Sequence, residues 1–159
     1  MTDAADNVIG FHHPGIVVPD LDAGIEFYTK LLGYELYSEA SWDVDHDSFN
    51  RIVGLDGSAA RFCMLKGLNS YIELFEFSAP PSTAQPGDLG ANEPGIRHIS
   101  FAVRDVQAAL DHCIELGGSK INDVVSVPGG ATATYCRDPF GNILELVTPG
   151  GRFPEPVQQ

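Results

Sequence analysis

A chain of 159 residues with 43% hydrophobic side chains is the size of one ordinary domain and carries enough apolar content to bury a core. Its 22 acidic against 9 basic residues give a formal net charge of -13, which repels phosphate backbones and anionic lipid and so argues against nucleic-acid or membrane partners. Cys63, Cys113 and Cys136 have no metal-binding pair spacing and cannot all be disulfide bonded within one chain, no apolar run reaches the length of a membrane span, and Met1 to Asn7 are too short and acidic for a signal peptide; a cytoplasmic protein with reduced thiols and a frayed N-terminal tail over 1–7 is the expectation.

From Val8 to Val18 the β-branched and aromatic content reads as a strand whose alternation puts Phe11, His13, Gly15 and Val17 on one face and His12 on the other. Asp20 stands where it can cap a helix. Leu21, Ile25, Tyr28 and Leu32 recur at helical spacing, and Gly33 supplies a stop. Tyr34 to Glu39 reads as a short strand. No period fits Ser41 to Ser58, where Trp42, Phe49 and Ile52 mix with Asp43, Asp45, His46, Asp47 and Arg51. A long irregular stretch of this kind is expected to be a lid or pocket wall, the alternative being a loop that packs its Trp on the core. Ala60 to Lys66 and Tyr71 to Phe77 form a hairpin across Gly67-Leu68-Asn69-Ser70. Ser78 to Gly95, rich in Pro and Gly, reads as a connector over 78–95.

The second half then repeats the first. His98 follows His13 by 85 residues, and Asp105 follows Asp20 by the same 85. Ile96 to Val103 is a strand; Val106, Ala109, Leu110, Cys113 and Leu116 make the apolar stripe of a helix ended by Gly117-Gly118. Val124 to Val127, Ala131 to Arg137 and Asn142 to Thr148 supply three more strands, with turns at Pro128-Gly129-Gly130 and Asp138-Pro139-Phe140-Gly141-Asn142. The expected fold is therefore α+β: two tandem βαβββ modules, 8–77 and 96–149, forming a curved, partly closed eight-stranded sheet around a metal cavity. The segment 150–159 is expected to cover an edge or fray.

His13, Glu73, His98 and Glu145 are polar residues on apolar strands, where an unpaired charge is costly. A strand Glu alone reads as a solvated residue on an open face, and a strand His alone as a hydrogen-bonded group. Jointly they form a pattern, one His from the first strand and one Glu from the fourth strand of each module. If a pseudo-twofold makes both sheets face one cavity, two imidazoles and two carboxylates converge as a site for one divalent ion: Zn, Ni, Mn, Co or Fe. Tyr71 and Phe75 share a face with Glu73, and Trp42, His46 and Phe49 are candidates for the substrate pocket. His12 and His112 are expected to be structural or solvated, and nothing beside Cys136 marks it as a nucleophile.

These residues carry a family resemblance. His13 through Leu21, Glu26 through Tyr34, Ile72-Glu73-Leu74, His98 and Asp138 through Leu146 together resemble the vicinal oxygen chelate superfamily, which includes glyoxalase I, methylmalonyl-CoA epimerase, extradiol dioxygenases and the fosfomycin and bleomycin resistance proteins. The resemblance implies metal ligands at His13, Glu73, His98 and Glu145, as in the glyoxalase and epimerase branches, with Glu145 the first choice of base and Glu73 the second. It implies a divalent-metal-dependent lyase or isomerase that moves a proton next to a chelated carbonyl of a small molecule, and members of the family often form homodimers. The alternatives are an Fe(II) dioxygenase, in which Glu73 is dispensable, and a metal-free drug-sequestering protein. Gly57-Ser58-Ala59-Ala60 stands where a methylmalonyl-CoA epimerase places a second glutamate, and only Arg51, Arg61, Arg97, Arg104 and Arg137 are candidates to hold a glutathione.

Overall fold

The computed structural model describes residues 7–82, 87 and 89–157. The tail over residues 1–6, the centre of the connector and the last two residues lie outside the described residues. In the first module, β1 (Gly15–Val17) leads into α1 (Leu21–Leu32), followed by β2 (Glu35–Trp42), α2 (Asp47–Val53), β3 (Ala59–Lys66) and β4 (Tyr71–Ala79). The second runs β5 (His98–Ala102), α3 (Val106–Glu115), β6 (Ser119–Lys120), β7 (Val125–Ser126), β8 (Thr132–Arg137) and β9 (Ile143–Val147).

The strands form two sheets, β1-β4-β3-β2 and β5-β9-β8-β6 with β7 also on β8, and they are not closed into a barrel. In each sheet the first strand pairs parallel with the last, as a βαβ crossover requires, and the remaining neighbours are antiparallel. Helices α1 and α3 start as their sequences imply: the carboxylates of Asp20 and Asp105 accept from the backbone N–H of Ala23 and Ala108, each at 3.0 Å. Gly33, at φ 66, ends α1 in the left-handed conformation.

One core serves both modules. Leu21, Phe27 and Tyr28 of α1, Val106, Leu110 and Cys113 of α3, Cys63, Leu65, Ile72 and Leu74 of the first sheet, and Cys136, Leu144 and Leu146 of the second are buried together. A side chain spanning the modules fixes their contact: the Tyr28 hydroxyl donates to Asp138 Oδ2 at 2.7 Å. Alternation along β4 and β9 sends Glu73 and Glu145 to the faces opposite those that join this core.

Three elements differ from expectation. The first strand begins at Gly15 instead of Val8, because Pro14 has no N–H to give and only its carbonyl joins the ladder, accepting from Glu73 at 3.0 Å. Val8, Ile9 and Phe11 before it are 74%, 103% and 82% exposed. The stretch after Trp42 contains α2, a helix of seven residues with no buried side chain; it has no apolar stripe for a periodicity to reveal. The strand expected over Val124 to Val127 is shortened to β7, and β6 stands before it as an additional short strand; between the two the chain bends so that the carbonyl of Asn122 accepts from the Thr134 hydroxyl at 3.0 Å, giving nine strands in two sheets among the described residues where eight in one were expected.

Candidate functional site

The same backbone register places the same pair twice. Gly15 pairs with Glu73, two residues after His13, and Ser100 pairs with Glu145, two residues after His98. Each imidazole therefore leans along its edge strand onto the carboxylate of the neighbouring strand. His13 Nε2 lies 3.0 Å from Glu73 Oε2, and His98 Nε2 lies 3.5 Å from Glu145 Oε2. The Glu145 side chain is the more enclosed of the two carboxylates, at 11% exposure against 17% for Glu73.

Each pair offers one nitrogen and one carboxylate oxygen, a donor set suited to a divalent ion. Within one chain the four residues meet as two pairs: among the described residues no group of three or more His, Cys, Asp or Glu is close enough to hold a metal. One chain by itself therefore does not provide the four-ligand centre.

The Nδ1 atoms of the two imidazoles are also engaged. His12 Nδ1 is 2.6 Å from His13 Nδ1, and the His12 ring stacks on Tyr71 at 5.4 Å. His12, expected to be structural or solvated, thus touches a candidate ligand directly. Beside His98 stands Tyr135, whose hydroxyl is 3.4 Å from Nδ1 and whose ring centroid is 5.0 Å from the imidazole. Burial, reinforced by the Glu145 charge, pushes the Tyr135 phenol above its ordinary pKa.

Tyr135 was missed in the sequence, although a signal existed. The β8–β9 hairpin folds about Phe140, and counting outward from that turn pairs Tyr135 with Glu145. The turn owes its shape to Asp138, 3% exposed. Asp138 Oδ1 accepts from the N–H of Phe140 at 3.0 Å and of Asn142 at 2.8 Å, while Oδ2 takes the Asn142 amide at 2.8 Å and the Tyr28 hydroxyl. Four donors on one buried carboxylate make this hairpin a rigid support for Glu145.

The expected pocket residues separate into two groups. Tyr71 and Phe75 flank Glu73 on its own face, and the ring of Phe75 stacks between Phe62 and Phe77 at 5.7 Å from each. Trp42, 4% exposed, is enclosed in this aromatic cluster, donating to Ser58 Oγ at 3.0 Å; Phe49 of α2 stacks on it at 4.6 Å, and His46 packs on Phe49. The alternative reading of the irregular stretch, a loop that packs its Trp, describes what is seen: Trp42 packs inward and α2 lies against it through Phe49.

All three cysteines are free and buried. The Cys136 thiol is pushed far up by its contact with Cys113, at 3.7 Å, and by burial, so it is no nucleophile. Arg61 is committed to Asp22 and Glu39, and Arg137 to the carbonyls of Gly141 and Leu89. No helix among the described residues is long and apolar enough to cross a membrane.

The strand–helix–strands unit repeated over two mixed sheets defines a class of fold, and comparison with known proteins agrees. The model of the Glyoxalase/Bleomycin resistance protein/Dioxygenase superfamily matches residues 10–146, and the chain belongs to that superfamily. It is 34% identical over 147 residues to a 2-epi-5-epi-valiolone epimerase from Actinomyces sp, a match covering 87% of this chain and 79% of that protein. It is 26% identical over 151 residues to a lactoylglutathione lyase of Arabidopsis thaliana, covering 94% of this chain but only 47% of that enzyme. A glyoxalase family protein from Bacillus cereus shares the fold, with a TM-score of 0.84 at 24% identity over 94% of this chain and all of that one. Its relatives thus include an isomerase and a lyase by name.

Proposed function

We propose that this protein is a glyoxalase-type isomerase or lyase that moves a proton on the carbon next to a carbonyl of a small oxygenated molecule, and that it works as a homodimer. In this reading His13 and Glu73 of one protomer face His98 and Glu145 of its partner, and the four side chains together hold one divalent ion. The observation that carries it is the duplicated register, with Nε2 set on a glutamate oxygen in both modules. The exposed edges support it: β1 and β5 are edge strands, and Phe11 and Ile96, 85 residues apart, are 82% and 91% exposed beside the two histidines. A twofold interface that joins β1 to the partner's β5 covers both and closes on itself.

The ion would supply charge stabilisation to the oxygens of the enediolate. Proton transfer falls to the glutamates, with Glu145 the first choice and Glu73 the second; since a carboxylate bound to a dication is a poor base, the glutamate that acts would have to be released from the ion when the substrate chelates it. The commitment of Arg61 and Arg137 within the fold leaves Arg51, Arg97 and Arg104 of the five candidates for an anionic glutathione or CoA tail.

The test is metal content after purification without chelator, followed by mixing. The expected result is about one Zn, Ni, Co or Mn per protomer, lost in His13→Ala and in His98→Ala. After subunit exchange between these two variants in equal amounts, about a quarter of the sites regain metal, because each mixed dimer holds one intact site and one doubly damaged one. Variants that stay metal-free after mixing would refute the shared site. Iron retained without Glu73 would move the assignment to a dioxygenase, and no metal after reconstitution to a binding protein.

A further inference from the structure

The two halves differ in what stands beside the pair. Across β3–β4 the residue opposite Glu73 is Met64, and across β8–β9 the residue opposite Glu145 is Tyr135. Met64 offers no hydrogen-bond donor and only a weak acceptor; Tyr135 offers a hydroxyl that reaches His98 Nδ1. We propose that Tyr135 is a positioning residue of the second half-site, holding the His98 imidazole through Nδ1 so that Nε2 stays directed at Glu145.

The need for such a residue is greater in the second half. His98 is the more exposed imidazole, 38% against 29% for His13, and its contact with its own glutamate is the longer, 3.5 Å against 3.0 Å. A ring that is loosely packed and weakly bonded on one side requires its other nitrogen to fix rotation and tautomer. A hydroxyl suits this task better than a carbonyl or a carboxylate. It donates when Nδ1 is bare and Nε2 carries the proton towards Glu145. It accepts when Nε2 is engaged by a ligand and Nδ1 carries the proton. The ring keeps both bonds in either state. In the first half-site His12 offers the same two-way partner by its own choice of tautomer, so Met64 can be apolar.

The assignment rests on the reading that the His98–Glu145 pair belongs to the site, and the experiment separates the two. Long-range 15N–1H spectra of the metal-free protein above about pH 8, where an ordinary His is neutral, report the tautomer of each ring. The expected spectrum of the unmodified chain shows His98 as a single Nε2–H form. Tyr135→Phe, which keeps the ring packing, converts His98 to a mixture and leaves His13 unchanged. Its melting temperature stays within about 2 °C. Met64→Leu alters neither imidazole. Cobalt titration of the same proteins is expected to show a loss of about 10-fold to 100-fold in affinity for Tyr135→Phe. An unchanged His98 tautomer in Tyr135→Phe overturns the assignment, even where His98→Ala abolishes cobalt binding and so upholds the metal site. A changed tautomer with cobalt binding untouched by both Tyr135→Phe and His98→Ala upholds the assignment and refutes the metal reading of the pair.

Discussion

In the first module Glu73 lies in a row with Tyr71, Phe75 and Phe77, under an aromatic cluster closed by a short helix. In the second, Glu145 lies between Ile143 and Val147, faces Tyr135, and hangs from a turn locked by a buried aspartate. The backbone register around the two glutamates is the same, so the His–Glu pair is a property of the parallel β1–β4 and β5–β9 ladders. The side chains around it have diverged. Two carboxylates that look interchangeable in the sequence thus sit in unlike surroundings, which is how one site assigns different roles to like groups.

The sharpest way to break this contrast is at the turn of the second module. Asp138→Ala strands the Tyr28 hydroxyl, two backbone N–H groups and an amide, and is expected to cost on the order of 5 kcal/mol in denaturant unfolding. The first module answers to its aromatic cluster. Trp42→Leu opens a void and leaves Ser58 Oγ without its indole donor, for an expected loss of about 2–4 kcal/mol. Trp42 is the one tryptophan in the chain, so its fluorescence reads the first module alone against circular dichroism of the whole.

A third measurement tests the seam between the modules by pH. Burial first, then the Asp138 charge, raises the Tyr28 phenol well above its ordinary 10.0. Below pH 10 both folded and unfolded chains keep the proton and nothing changes. Above it the unfolded chain releases the proton while the folded chain holds it, so stability falls by up to about 1.4 kcal/mol per pH unit, a slope that Tyr28→Phe removes. The Cys63 thiol, raised by burial from 9.0 to about 11, acts in the same direction between those values. The smallest effect is a matched pair. Asp20→Ala and Asp105→Ala each remove an equivalent helix cap and should each cost about 1 kcal/mol in the same unfolding experiment.

What could be read from the sequence was whatever repeats or alternates. The 85-residue offset, the two caps, both long helices and the strand positions of Glu73, His98 and Glu145 all follow from periodicity, whereas His13, expected on the first strand, stands two residues before it. The α2 helix was illegible because it buries nothing, and the start of β1 because Val8, Ile9 and Phe11 look like core residues but stand at an open edge. Tyr135 escaped because its importance lies in a cross-strand partner, which appears only once the hairpin register is fixed. That the four ligand candidates meet as two pairs depends on how the modules pack through their helices, and no local pattern encodes this.

The bond between Tyr28 and Asp138 ties the two repeats together at positions where they differ. By the 85-residue offset, the position of Tyr28 in α1 corresponds to Cys113 in α3, so at this seam the two copies of the unit are complementary to each other and not alike. A lone copy, about half the chain, would expose the helix face that now fills the shared core. Each half therefore depends on the other for its interior, and the Tyr28–Asp138 bond is a polar contact across that dependence.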